Sequence, residues 1–140
     1  MRRVSPAEAR ELIERDGYCY VDVRSVPEFE AGHPTGAYNV PLFHLGPTGM
    51  TPNTDFVAVM ELRFPKDAKL VVGCKSGGRS LRAATLLESA GFQQIVDQRA
   101  GFDGALDGLG RVVEPGWSPA GLPCATDSDA DHCWDGLKRK

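Results

Sequence analysis

The spacing of apolar and polar positions changes several times along the chain, and each change predicts an element. Ser5-Pro6-Ala7-Glu8 opens a helix: Ser5 caps, Pro6 suits the first helical position, and Glu8 completes a capping box. Ala9, Leu12 and Ile13 form its apolar face and Gly17 its C-terminal stop. The β-formers of Tyr18-Cys19-Tyr20-Val21-Asp22-Val23 predict a strand that delivers Asp22 and Arg24 to a loop mouth. A short helix follows around Pro27 to Ala31. Gly32 to Pro41 reads as turns with a brief strand at Ala37 to Val40, and Gly46 to Asn53 reads as a loop from its Gly and Pro content. Asn53 or Thr54 caps a helix over Phe56 to Arg63. Lys69 to Gly73 is a short apolar run between turn signals, a buried strand. From Ser80, the residues Leu81, Ala84, Leu87 and Ala90 share a helical face that Gly91 ends. Gln94 to Asp97 predicts a further strand. Gly101 to Leu109 predicts a weak helix, its propensity lowered by Gly104 and Gly108.

Strands alternating with helices over 140 residues imply one α/β domain with a parallel sheet covered on both faces. The pattern stops after about Leu122. The domain is therefore set at residues 1–125. Residues 126–140, acidic over Asp127 to His132 and basic at Lys138-Arg139-Lys140, are expected to form a mobile tail. No stretch has the length and apolarity of a signal-peptide core or a membrane span, so the expected setting is cytoplasmic. A formal net charge of -3 gives no general attraction to nucleic acid or anionic membrane, and neither is an expected partner. Cys19, Cys74, Cys124 and Cys133 show no C-x-x-C spacing, and a chain this size builds its own core without a disulfide scaffold.

The chemistry concentrates in Leu70-Val71-Val72-Gly73, then Cys74-Lys75-Ser76-Gly77-Gly78-Arg79, then a helix opening at Ser80. A cysteine at the carboxyl end of a parallel strand sits where open α/β sheets bind ligands. Glycines let successive backbone N–H groups turn inward as an anion nest, and the helix presents its positive end to the same spot. Arg79 and Lys75 add two full positive charges. Such surroundings bring a cysteine from a pKa of about 8.5 to roughly 3.5–7.5. Cys74 is thus the candidate nucleophile, Arg79 and Lys75 its cationic partners, and Ser76, Gly77, Gly78 and Ser80 the wall that would hold an anionic substrate. Loop size separates two chemistries. Cysteine-dependent phosphatases space the pair as Cys-x5-Arg; Cys-x4-Arg here makes a tighter cradle, suited to a single extra sulfur held as a persulfide.

These residues resemble the rhodanese family, whose active loop has the form Cys-[Arg/Lys]-x-Gly-x-Arg, matched by Cys74, Lys75, Gly77 and Arg79. Asp22-Val23-Arg24 with Glu28-Phe29, Gly32-His33 with Gly36-Ala37, Asn39 and Pro41, and Ala120-Gly121-Leu122-Pro123 agree as well. The insert carrying Gly49-Met50, Asn53, Asp55 and Phe56 is similar to that of single-domain plant and bacterial thiosulfate sulfurtransferases. Two segments depart from the pattern: Gly-His-Ile-Pro-Gly appears as Gly32-His33-Pro34-Thr35-Gly36, and the segment at Ala100 to Ala105 lacks its second aromatic. The resemblance covers residues 3 to 125 or so. It implies a three-layer fold, a central five-stranded and mainly parallel sheet with helices on both faces. It also implies sulfur transfer from thiosulfate through a Cys74 persulfide to a thiophilic acceptor: cyanide, a thiol, or a protein such as thioredoxin. No metal or organic cofactor is required, because the covalent intermediate carries the group. Members specific for mercaptopyruvate commonly have a small neutral residue after the cysteine; Lys75 suits dianionic thiosulfate instead.

Asp22, Arg24 and Glu28 read as an ion-pair set ordering the loops, and His33 as a hydrogen-bonded loop anchor rather than a base. Cys19 reads as core. Cys124 and Cys133 read as incidental thiols, with a relay that resolves the persulfide as the alternative. Asp129, Asp131, His132 and Cys133 lack a scaffold for a metal. Phe43, Leu45 and Met50 either rim the pocket for a protein acceptor or close the core. Two other readings stay open: a non-catalytic module of the family used for binding or regulation, and a phosphatase or arsenate reductase. Monomer and homodimer are equally compatible.

Overall fold

The computed structural model describes residues 1–139. In chain order the elements are β1 (Arg2–Val4), α1 (Pro6–Asp16), β2 (Cys19–Asp22), α2 (Val26–Ala31), β3 (His33–Pro34) and β4 (Tyr38–Asn39). Then come β5 (Phe43–Gly46), β6 (Gly49–Pro52), α3 (Phe56–Arg63), β7 (Lys69–Gly73), α4 (Gly78–Ser89) and β8 (Gln94–Gln98). The chain closes with β9 (Gly104–Leu106), β10 (Val112–Pro115), β11 (Cys124–Ala125) and α5 (Trp134–Leu137).

Five strands form a sheet in the order β1-β8-β7-β2-β4, every neighbour parallel. Period-two alternation sorts its side chains between two cores. Val21, Leu70, Val72 and Ile95 pack with Phe56, Val59 and Met60 of α3 and Ala83, Ala84 and Leu87 of α4. Tyr20, Val71 and Val96 pack on the other face with Ala9 and Leu12 of α1 and with Phe29. The fold is the expected three-layer α/β arrangement with five central strands. Ser5 caps α1 as anticipated: Glu8 N–H donates to Ser5 Oγ at 3.2 Å, and Ser5 N–H to Glu8 Oε1 at 3.0 Å.

Four expectations need correction. Gly101 to Leu109 is not a helix; its second half enters a β-hairpin, β9 against β10, tied back by Arg99 on Glu114 at 2.9 Å. Gly104 takes φ 137°, outside any helix, and the β-branched Val112-Val113 favours a strand. Gly46 to Asn53 is not a plain loop either, since β5 and β6 pair around Pro47-Thr48. Leu81, placed on the buried face of α4, is 37% exposed; Ser80, Ala83, Ala84 and Leu87 face inward. The fourth concerns the C-terminus. Residues 126–139 are a docked strap, and Lys140 lies outside the described residues.

The strap is held by several kinds of contact. Cys124 and Ala125, immediately before it, pair with β3, and Asn39 N–H donates to His132 O at 2.8 Å. The His132 ring stacks on Tyr38, and Arg63 donates to the carbonyls of Gly136 and Leu137 at 2.9 and 2.8 Å. Trp134 and Leu137 are 6% and 2% exposed, inside the core that α3 and α4 share. Burying those two side chains is what overrides the polar composition of the segment. Replacing Trp134 by Ala should therefore lower stability by about 3 kcal/mol in urea unfolding, where a free tail would give no change.

Candidate active site

The carboxyl ends of β2, β4, β7 and β8 lie side by side, and the Cys74 loop leaves from that edge. Cys74 follows β7 directly, and α4 begins at Gly78, so Arg79 and Ser80 stand in the first helical turn. The bend between requires glycine at Gly77. Its φ is 103°, and a Cβ there would lie 2.3 Å from the Arg99 carbonyl oxygen. Gly101 is held as tightly from the opposite side, its φ at 68° and an added Cβ 2.4 Å from the Lys75 carbonyl oxygen. The turn that follows Gly101 occupies the loop's carbonyls: Phe102 N–H donates to Cys74 O at 2.7 Å and Asp103 N–H to Lys75 O at 3.0 Å.

With its carbonyls so occupied, the loop turns a backbone donor to the sulfur. Gly77 N–H reaches Cys74 Sγ at 3.1 Å, and the N-terminal end of α4 stands beside it. Cys74 is 2% exposed, and its thiol donates to Ser80 Oγ at 3.5 Å. Ser76 is half-buried and Gly78 exposed, so these two form the outer wall of the loop.

The two expected positive charges are not in surplus. Arg79 forms a bidentate pair with Glu28, at 2.7 and 3.0 Å. Arg24 pairs with Asp22 at 2.7 Å and donates to the Gly32 carbonyl at 2.6 Å, its guanidinium 4.3 Å above the Phe102 ring. Lys75 is 57% exposed and stands 3.9 Å from Asp103. Arg24, Glu28, Lys75 and Asp103 line a cleft of about 240 Å³ together with Ala31, Gly32 and Phe102. Its wall thus carries two cations and two anions. The reading of Asp22, Arg24 and Glu28 as loop-ordering ion pairs agrees with this geometry.

The model of the Rhodanese-like domain matches residues 5–106 of the chain. The chain belongs to the rhodanese-like family. Thiosulfate sulfurtransferase 16, chloroplastic, of Arabidopsis thaliana is 38% identical over 107 residues, covering 76% of this chain and 79% of that one. Rhodanese-like domain-containing protein 15, chloroplastic, from the same plant is 43% identical over 94 residues, and the match spans 67% of this chain and 51% of that protein. Among solved structures, Rv0390 from M. tuberculosis superposes with a TM-score of 0.74 at 29% identity, covering 91% of this chain and 98% of that one.

Other positions marked in this rhodanese-like chain fall as follows. His33 is a buried anchor, its Nδ1 2.7 Å from the Phe29 carbonyl oxygen and its Nε2 3.0 Å from that of Asp127, its ring stacked on Phe29. Cys19 is half-buried on β2, Cys124 is exposed on β11, and Cys133 is half-buried at the start of α5. Trp117, returned by the β9–β10 hairpin, donates its backbone N–H to Gly101 O at 2.9 Å and packs edge-on against Tyr20.

Two residues near the site escaped the pattern reading. Asp97, wholly buried, accepts from the Ser80 hydroxyl at 2.6 Å, and Arg3 pairs with it at 2.7 Å. The signal was present: an acid, Asp97, follows the apolar run Ile95-Val96 as Asp22 follows Val21.

The Glu28–Arg79 pair has a pH signature. Burial would raise the Glu28 carboxyl, but hydrogen bonds from Arg79 and Ser25, with the Arg79 charge, outweigh it and bring it down to about 2. A carboxyl lowered in the folded state contributes stability that is complete above its unfolded value, near pH 4.5, and disappears as pH falls through about 2. Glu28→Gln should flatten this window: its urea midpoint should fall less steeply than that of the unmodified chain as the pH is lowered across it.

Proposed function

We propose that this rhodanese-like chain is a thiosulfate sulfurtransferase working through a persulfide on Cys74. The observation that carries the reading is the Gly77 N–H aimed at Cys74 Sγ from 3.1 Å, at the start of α4. A preorganised donor at that point stabilises negative charge on sulfur at no cost of reorganisation. The names of similar proteins support the donor, and Lys75, the most exposed cation of the cleft, offers the approaching dianion its first contact.

In the first half-reaction the Cys74 thiolate attacks the outer sulfur of thiosulfate. A sulfur–sulfur bond forms to Cys74, the one within thiosulfate breaks, and its electron pair leaves with sulfite. In the second, a nucleophile takes the outer sulfur and the Cys74 thiolate departs: cyanide yields thiocyanate, and a thiol yields its persulfide. Ser76, Gly77 and Gly78 wall the outer sulfur, and Arg79, locked by Glu28, shapes the loop and contributes its charge from a fixed position. The proposed setting is reducing and cytoplasmic, which suits four unpaired cysteines.

Incubation with thiosulfate followed by intact-protein mass spectrometry should show one added sulfur that cyanide removes and that Cys74→Ser never acquires. Lys75→Ala should raise KM for thiosulfate about tenfold with little change in kcat, as expected for a contact made before the chemical step. Turnover of mercaptopyruvate with none of thiosulfate would overturn the donor. Hydrolysis of phosphate esters without any sulfur uptake would favour the phosphatase reading, and inertness toward every donor the binding module.

A further inference from the structure

Asp97 is the carboxylate that hydrogen bonds join to the nucleophile. It lies near the end of β8, directly across from Arg3 in the parallel register of β1 and β8. One carboxylate oxygen accepts from Arg3 Nε at 2.7 Å, and the other from the Ser80 hydroxyl at 2.6 Å. Ser80, also fully buried, has one proton to give and two acceptors in reach, Asp97 Oδ1 at 2.6 Å and the Gly77 carbonyl at 3.2 Å. The shorter, charge-assisted bond takes it. The Ser80 oxygen therefore turns a lone pair toward Cys74 Sγ, 3.5 Å away, where it accepts the thiol proton.

We propose that Asp97 is a positioning residue that acts through Ser80 to set how firmly Cys74 holds its proton. While the carboxylate engages the hydroxyl, the thiol has a well-placed acceptor. The thiolate must make do with Gly77 N–H, because the Ser80 proton is committed elsewhere. Arg3 works in the opposite sense by offsetting the Asp97 charge. Its side chain is 42% exposed, while that of Asp97 is completely enclosed.

The other groups around the sulfur do not duplicate this link. From β2 come Asp22, neutralised by Arg24 just beyond the strand, and Tyr20, whose phenol burial keeps in its neutral form. From α2 comes Glu28, spent on Arg79 of α4. The loop brings Lys75, opposite Asp103, and behind the loop Arg99 pairs with Glu114. Each charge is matched locally, and Asp97 reaches the sulfur through a hydroxyl.

The inference rests on Cys74 being the nucleophile proposed above, and its test uses no sulfur donor. Thiolate ultraviolet absorbance is followed against pH, and the same variant carrying Cys74→Ser is subtracted to isolate this sulfur. Asp97→Asn should move the absorbance step to lower pH by about one unit. Arg3→Gln should move it to higher pH, and Arg3→Lys, which keeps the charge, should restore the original profile. In a Ser80→Ala background the Asp97→Asn shift should shrink. A purely structural role moves both single variants the same way or neither, and that result overturns the proposal. Should the buried Asp97→Asn fold poorly, Arg3→Gln decides alone: an unmoved profile overturns the link. Failure of the chain to take up sulfur would overturn the sulfurtransferase reading and leave these shifts as they are.

Discussion

A sulfur atom that is to carry negative charge inside a protein needs donors fixed in place before the charge arrives, and the Cys74 loop is organised around that need. Its two leading carbonyls would repel an anion, and both are occupied by N–H groups of the turn after Gly101. That arrangement requires the loop and the turn to approach more closely than any side chain allows, which accounts for Gly77 and Gly101 together. The donor that remains, Gly77 N–H, then meets the sulfur at the positive end of α4. Remove the turn and the loop carbonyls lose their partners. The 101–103 segment is thus part of the candidate site through its backbone.

The charges near the cleft follow a second rule. Arg79 with Glu28 and Arg24 with Asp22 are pairs held by multiple hydrogen bonds, so their cost of desolvation is offset by geometry as well as attraction. Paired in this way they set loop positions more than they set the field, and the cleft wall balances its cations with anions. Lys75 is the most accessible cation of that wall. In the proposed reaction, recruitment and stabilisation are consequently separate tasks, the first falling to an exposed lysine and the second to a backbone amide.

The C-terminal strap shows how apolar burial outweighs composition. Its residues are mostly acidic or small, yet Trp134 and Leu137 complete the core on the α3 and α4 side, and Arg63 satisfies the carbonyls that a short last helix leaves open. The strap also reaches His33 through the Asp127 carbonyl, linking the terminus to the loop after α2 that lies near the cleft.

Much of this protein was legible before any coordinates. The capped start of α1, the strand at Cys19–Asp22, the apolar run of β7 and the glycine-bearing loop into α4 are local features, and their periods and caps belong to the chain itself. The loop spacing from Cys74 to Arg79 likewise named the family and marked Cys74 as the candidate nucleophile. Four things were decided only in three dimensions. The hairpin after Phe102 formed because strand pairing with Val112–Pro115 outweighs a weak helical signal, and α5 formed because its two apolar residues found a core, too few to show a period. Arg3 and Asp97 became neighbours through parallel pairing of strands far apart in sequence, while Glu28 of α2 came to Arg79 of α4. Residue types and spacings can announce a reactive thiol; which charges end up matched around it depends on contacts between distant segments, and these exist only once the sheet has closed.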